Sequence, residues 1–198
     1  DGNYTGGSSV TASLVVSPIA PSIGTFTPPA KNFGDASFNL TAPTSNSNGA
    51  FTYTSSAPAV ATVTSSGGVV TIVGAGTTTI TATQASTTNY TGGSVTGSLV
   101  VSPIAPTIGT LTVPAKNYGD ASFSLTAPTS NSSGAFTYTS SAPGVATVTS
   151  SGGVVTVVGA GTTTITATQA ASADGNYTGG SSVTASLVVS PIAPTIGT

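Results

Sequence analysis

Two short strings hold four of the six charged side chains in this chain: Lys31-Asn32-Phe33-Gly34-Asp35 and Lys116-Asn117-Tyr118-Gly119-Asp120. They contain both lysines and two of the four aspartates. The other two, Asp1 and Asp174, each open an Asp-Gly-Asn-Tyr sequence. The 198 residues include no Arg, Glu, His, Cys, Met or Trp. General acid–base catalysis draws on His, Glu, Asp, Lys, Tyr or Cys tuned to a working pKa, and a hydroxyl nucleophile needs such a base beside it. The 39 Thr and 30 Ser therefore have almost nothing to activate them. No enzyme and no catalytic residue are expected. Zinc, copper and haem sites rest on His or Cys ligands, and calcium on clustered carboxylates, so no metal or cofactor is expected either. Two lysines make no basic patch for nucleic acid. The longest apolar runs, such as Leu14-Val15-Val16, fall far short of the roughly 20 residues of a membrane helix, so no membrane insertion is expected.

The Lys–Asp strings read first as tight turns, with Asp35 and Asp120 bonding local amides and Lys31 and Lys116 solvated beside them. The sharper alternative is a Lys–Asn isopeptide crosslink with Asp as catalyst, which requires burial. A second feature is the alternation of Thr77, Thr79, Thr81 and Thr83, repeated at Thr162, Thr164, Thr166 and Thr168. It reads as the outer face of a strand, and alternatively as an ice- or glycan-facing surface. Asn-X-Ser/Thr sequons at Asn3, Asn39, Asn89, Asn131 and Asn176 are candidate glycosylation sites if a eukaryotic host or its virus makes the protein.

An internal repeat sets these features in order. Residues 17–84 align without gaps to 102–169, with eight differences over 68 positions. After Gln84 and Gln169 the copies diverge. One reads ASTTNYTGGSVTGSLVV and the other AASADGNYTGGSSVTASLVV, so the offset grows from 85 to 88. Residues 1–16 are identical to 174–189. The expected organisation is the last part of a preceding repeat at 1–16, full repeats at 17–101 and 102–189, and the start of a following repeat at 190–198. No leader is legible in 1–16, and the array is expected to continue beyond this window.

The segments between turn residues are short, β-branched and alternating, the pattern of strands. In the first repeat they are 23–27, 36–41, 50–55, 60–64, 69–73, 77–84 and 95–101. An apolar fraction of 37% and a mean hydropathy of +0.33 argue against disorder despite the Ser, Thr, Gly and Pro content. Seven strands with long-range pairing predict an all-β sandwich per repeat. Pro18 and Pro21 stiffen the chain where one repeat meets the next.

The motif string KNFGDASFNLTAP, GAFTYTSSAPAVATVTSSGGVVTIVGAGTTTITATQA, NYTGGSVTGSLVV resembles a bacterial Ig-like domain of the group 2, invasin/intimin-like type. The marks are Tyr53-Thr54-Ser55-Ser56, Val60-Ala61-Thr62-Val63, Gly68-Val69-Val70 and Val73-Gly74-Ala75-Gly76-Thr77. They recur at Tyr138, 145–148, 153–155 and 158–162. The resemblance implies tandem Ig-like seven-stranded β-sandwiches of the kind found in bacterial surface proteins and in phage or viral structural proteins. It implies a structural module of an extracellular stalk, fibre or filament on a cell or virion surface, with an adhesin binding glycans or surfaces as the alternative. Expected partners are neighbouring copies of the repeat or other fibre subunits, with surface glycans under the alternative. The lone closing segment at 1–16 is expected to complete a sandwich with upstream residues, or with another molecule by strand donation.

Overall fold

Thr78, Ile80, Ala82 and Gln84 lie on one side of a nine-residue strand, and Thr77, Thr79, Thr81 and Thr83 on the other. The first set is buried and the second faces outward, as a side-chain period of two requires. That strand is the spine of a sandwich, and its copy in the second repeat is the spine of another. The computed structural model describes residues 2–3, 6–194 and 196; the Asn3 sequon extends to Tyr4 and Thr5, outside the described residues.

The first unit contains β1 (Lys31–Asn32), β2 (Phe38–Asn39), β3 (Phe51–Ser55), β4 (Ala61–Val63), β5 (Val69–Ile72), β6 (Gly76–Gln84) and β7 (Gly93–Ser102). The second repeats them as β8 (Lys116–Asn117), β9 (Phe123–Ser124), β10 (Phe136–Ser140), β11 (Ala146–Val148), β12 (Val154–Val157), β13 (Gly161–Gln169) and β14 (Ser182–Ser190). One sheet of each unit has the order β1-β7-β6-β3 or β8-β14-β13-β10. The other is β2-β5-β4 or β9-β12-β11. Neighbouring strands are antiparallel except at one edge, where β1 runs parallel to β7 with Lys31 opposite Val101, and β8 parallel to β14.

The inward faces meet in one apolar core per unit. Val70, Ile80, Ala82 and Leu99 centre the first, and Val155, Ile165, Ala167 and Leu187 the second. Each fully buried Leu, Ile or Val contributes about 1.5–3 kcal/mol relative to exposure. With no cysteine in the chain, these contacts carry the fold without disulfides.

Three expectations are corrected. Residues 23–27 form no regular strand. Their main-chain pairing reduces to a bridge between Ile23 and Ser45, with Gly24 N–H donating to the Thr44 carbonyl at 2.9 Å. Pro21 before the segment and Pro28 and Pro29 after it have no N–H to extend a ladder, so the segment contributes Phe26 to the core instead. The strand expected at 36–41 contracts to Phe38–Asn39. The Lys-Asn pair, expected wholly as turn, is itself an edge strand, and the turn begins one residue later.

Residues 6–16 form no ladder. Leu14 is 89% exposed, whereas Leu187, the same position of the identical sequence within β14, is 0% exposed. Beside β14 lie β13 and β8; beside 6–16 no strand is present among the described residues.

Candidate functional site

The Lys–Asp turn is built from the backbone outward. Asp35 Oδ2 accepts the Asn32 N–H at 2.9 Å, and the Asp35 N–H donates to the Asn32 carbonyl at 3.1 Å. Phe33 N–H then donates to the Ser102 carbonyl at 2.8 Å, fastening the turn to the end of β7. Lys31 Nζ lies 4.7 Å from the centre of the Phe38 ring, a cation–π contact contributing about 0.5–1 kcal/mol at an exposed site. Lys116, Asn117, Asp120 and Phe123 reproduce the arrangement. Asn32 and Asp35 are exposed, and Asp35 is spent on a backbone amide. The buried triad that an isopeptide crosslink requires is not formed.

The Thr alternation extends across three strands. The register sets Thr79 opposite Ser98, Thr81 opposite both Thr96 and Thr54, and Thr83 opposite both Ser94 and Thr52. The outer face of this sheet is therefore a hydroxyl-bearing surface, repeated on the second unit.

Two buried glutamines escaped the sequence reading. Gln84 is 2% exposed at the inward end of β6. Its Oε1 accepts from Ser45 Oγ at 2.7 Å, and its Nε2 donates to the carbonyls of Ser47 at 3.0 Å and Gly49 at 2.9 Å. It pins the loop between β2 and β3, as Gln169 pins its counterpart. The available signal was parity: position 84 continues the inward series 78, 80, 82.

A joint between the units is the other arrangement missed, and it uses a residue marked only as a sequon. The long loop of the second unit closes between Ser172 and Tyr177: Ser172 N–H donates to the Tyr177 carbonyl at 3.2 Å, and Tyr177 N–H to Ser172 Oγ at 2.9 Å. Within it, Asp174 Oδ1 accepts the Ser172 hydroxyl and the Asn176 N–H, and Asp174 Oδ2 accepts from Asn176 Nδ2 at 3.0 Å. The Ser172 hydroxyl foremost, and then the Asn176 N–H, hold the Asp174 carboxyl below the usual carboxylate range. So oriented, Asn176 Oδ1 accepts the N–H of Ala75 in the first unit at 2.7 Å. Tyr177 meets Phe33 edge-on, with ring centres 5.5 Å apart and planes at 79°. Gly74 is required by its own turn, where a Cβ would stand 2.8 Å from the Ala59 carbonyl oxygen, and its bare Cα also leaves room for the joint, a Cβ lying 3.3 Å from Asn176 Oδ1.

The remaining sequon positions are separate from this joint. Asn3, Asn39 and Asn89 are exposed. Asn131 is exposed, but its Oδ1 accepts the Thr107 N–H at 2.8 Å. Among the described residues, no group of three His, Cys, Asp or Glu side chains is placed to hold a metal ion.

Residues 40–86 and 126–171 match the family model of the intimin immunoglobulin-like domain. No curated protein matches the chain. Solved structures resemble it loosely. A SusE-like surface-located polysaccharide-binding protein of Bacteroides thetaiotaomicron is 12% identical, with a TM-score of 0.33 over 86% of this chain and 34% of that one. Drosophila N-cadherin repeats EC1–4 are 13% identical, with a TM-score of 0.33 over 86% of this chain and 50% of that one. Domains 4–9 of the surface layer protein SbsC are 20% identical, with a TM-score of 0.34 over 83% of this chain and 27% of that one. The chain thus spans half or less of the length of these three structures.

Proposed function

Because the chain carries two tandem Ig-like domains of the intimin type, we propose that it is a structural repeat module of an extracellular stalk, fibre or filament on a cell or virion surface. The observation that carries this reading is the joint. Asn176 and Tyr177 of one sandwich grip Ala75 and Phe33 of the one before it, so successive units are held end to end by side chains as well as by the linker. The module is non-catalytic in this reading, and its partners are neighbouring copies of the repeat or other fibre subunits. Its units are 17–101 and 102–189, with 1–16 closing a preceding unit and 190–198 opening a following one. Solution scattering tests it. An elongated pair of sandwiches is expected; a radius of gyration near about 16 Å, the compact-globule value for this length, would overturn it.

One observation favours a second reading. The hydroxyl face is three strands wide, and it recurs on both units. An adhesin could lay a glycan along it. A glycan array read at high protein concentration tests this, and an absence of saturable binding removes it.

A further inference from the structure

The two units present the same seat, and among the described residues only one is filled. In the first, Phe33, Gly74 and Ala75 hold Tyr177 and Asn176. Their counterparts in the second are Tyr118, Gly159 and Ala160. Each is more open than its twin. Phe33 is half-buried while Tyr118 is 49% exposed, Gly74 is buried while Gly159 is half-buried, and Ala75 is half-buried while Ala160 is exposed. Among the described residues, the atoms around a hypothetical Cβ on Gly159 all belong to Gly144, which replaces Ala59, and none stands where Asn176 Oδ1 stands beside Gly74.

The loops that could enter such a seat differ. Unit 1 closes its loop in four residues, with Thr87 N–H donating to the Tyr90 carbonyl at 2.9 Å and Tyr90 N–H to Thr87 Oγ1 at 3.2 Å. Unit 2 closes the equivalent pair, Ser172 and Tyr177, around two extra residues, and Asp174 lies within that longer span. Asp174 takes the Asn176 N–H and one Nδ2 proton, which leaves Asn176 Oδ1 as the acceptor facing a backbone N–H. The seat in turn offers a backbone N–H, a corner without a side chain and an aromatic ring. Phe33 to Tyr118 keeps the ring.

We propose that the open face around Tyr118, Gly159 and Ala160 is the seat for a second copy of the 102–189 unit, entered through its long 174–177 loop. The seat discriminates between loops, because the short 87–90 loop lacks the Asp-Gly pair that orients the acceptor. A single hydrogen bond and one aromatic pair make a weak contact between free molecules. Tethering through a linker raises the effective concentration and lets the same contact form.

This inference deepens the stalk reading and rests on it, and the test separates the two. Residues 190–198 repeat 102–110 in sequence, so extending the full chain with residues 111–189 creates one further long-loop unit behind the open seat. Amide hydrogen exchange at Ala160 is then compared with Ala75, the filled reference in the same molecule. Protection of Ala160 is expected to rise about tenfold, toward that of Ala75. Deleting the Asp-Gly pair of the added loop is expected to return Ala160 to its original rate while the strand amides of the added unit stay protected. An unchanged Ala160 rate beside a folded added unit overturns the seat, as does protection that survives the Asp-Gly deletion. Scattering from the same extended chain reports the stalk separately: an elongated particle with an unprotected Ala160 sinks the seat alone.

Discussion

Gly97 lies against Phe26. A Cβ on Gly97 would stand 2.5 Å from the Phe26 carbonyl oxygen and 3.1 Å from its ring, and would also run into Pro28 Cδ. In the second unit the same three places hold Leu111, Val113 and Ala185. Bulk on the 23–28 segment is thus exchanged against bulk on the last strand, and each core is filled once. Gly97→Ala alone is expected to overpack the first unit and destabilise it by about 1–3 kcal/mol. Combined with Phe26→Leu and Pro28→Val, most of that loss is expected to be recovered. Urea unfolding of the four variants in a cycle measures the coupling, and strictly additive effects would refute the exchange.

Gln84 offers a second measurement. Gln84→Leu leaves the carbonyls of Ser47 and Gly49 and the hydroxyl of Ser45 without their partner. A loss of about 2–4 kcal/mol is expected, from the missing bonds and the polar groups left buried. The 45–49 amides are expected to exchange faster than those of β6. A neutral outcome would mean that the loop holds itself.

Alkaline pH acts on two tyrosines. Burial pushes the phenols of Tyr53 and Tyr138 above their ordinary value. The folded state keeps them neutral where the unfolded chain, near about pH 10, begins to ionise. Their contribution is complete below that point and is lost as pH rises through the raised folded values. Stability is expected to be flat around neutrality and to fall above about pH 10. Replacing both by Phe should flatten the alkaline limb; an unaltered limb would point to another group.

Acid acts on the joint. The folded-state pKa of Asp174 is depressed, so its contribution is present above the unfolded carboxylate value and lost as pH falls through the folded one. The expected result is a drop in the protection factor of the Ala75 amide below about pH 4, with β6 and β7 unaffected. Asp174→Asn should remove that pH dependence. A loss of protection spread over the whole first unit would show that acid unfolds the sandwich instead of opening the joint.

What the sequence revealed depended on whether a feature was periodic. Alternation along 77–84 and 95–101 placed β6 and β7 within a residue or two at each end, because these strands lie between a wet face and a core. The edge strand at Lys31 and Asn32 was hidden by its length: two residues have no period, and the parallel partner is 70 residues away. Gln84 was hidden by polarity, since an amide on the inward side makes sense only once the 45–49 carbonyls are seen around it. The joint was hidden by distance, as Asn176 and Ala75 are 101 residues apart. Its one trace in the sequence was the Asp-Gly pair that lengthens a single loop.

The parallel edge has a mechanical consequence. The chain enters a unit beside the strand by which it leaves. Ile19 N–H bonds the Asn89 carbonyl at 3.1 Å, Thr91 N–H bonds the Ile19 carbonyl at 2.8 Å, and Phe33 N–H bonds the Ser102 carbonyl. Because the two strands run the same way, tension between neighbouring units drags them past each other along their length. Their hydrogen bonds are loaded together in shear and do not peel apart one at a time. A sandwich closed in this way resists pulling as a link in a chain does, and its weakest bond is never asked to give alone.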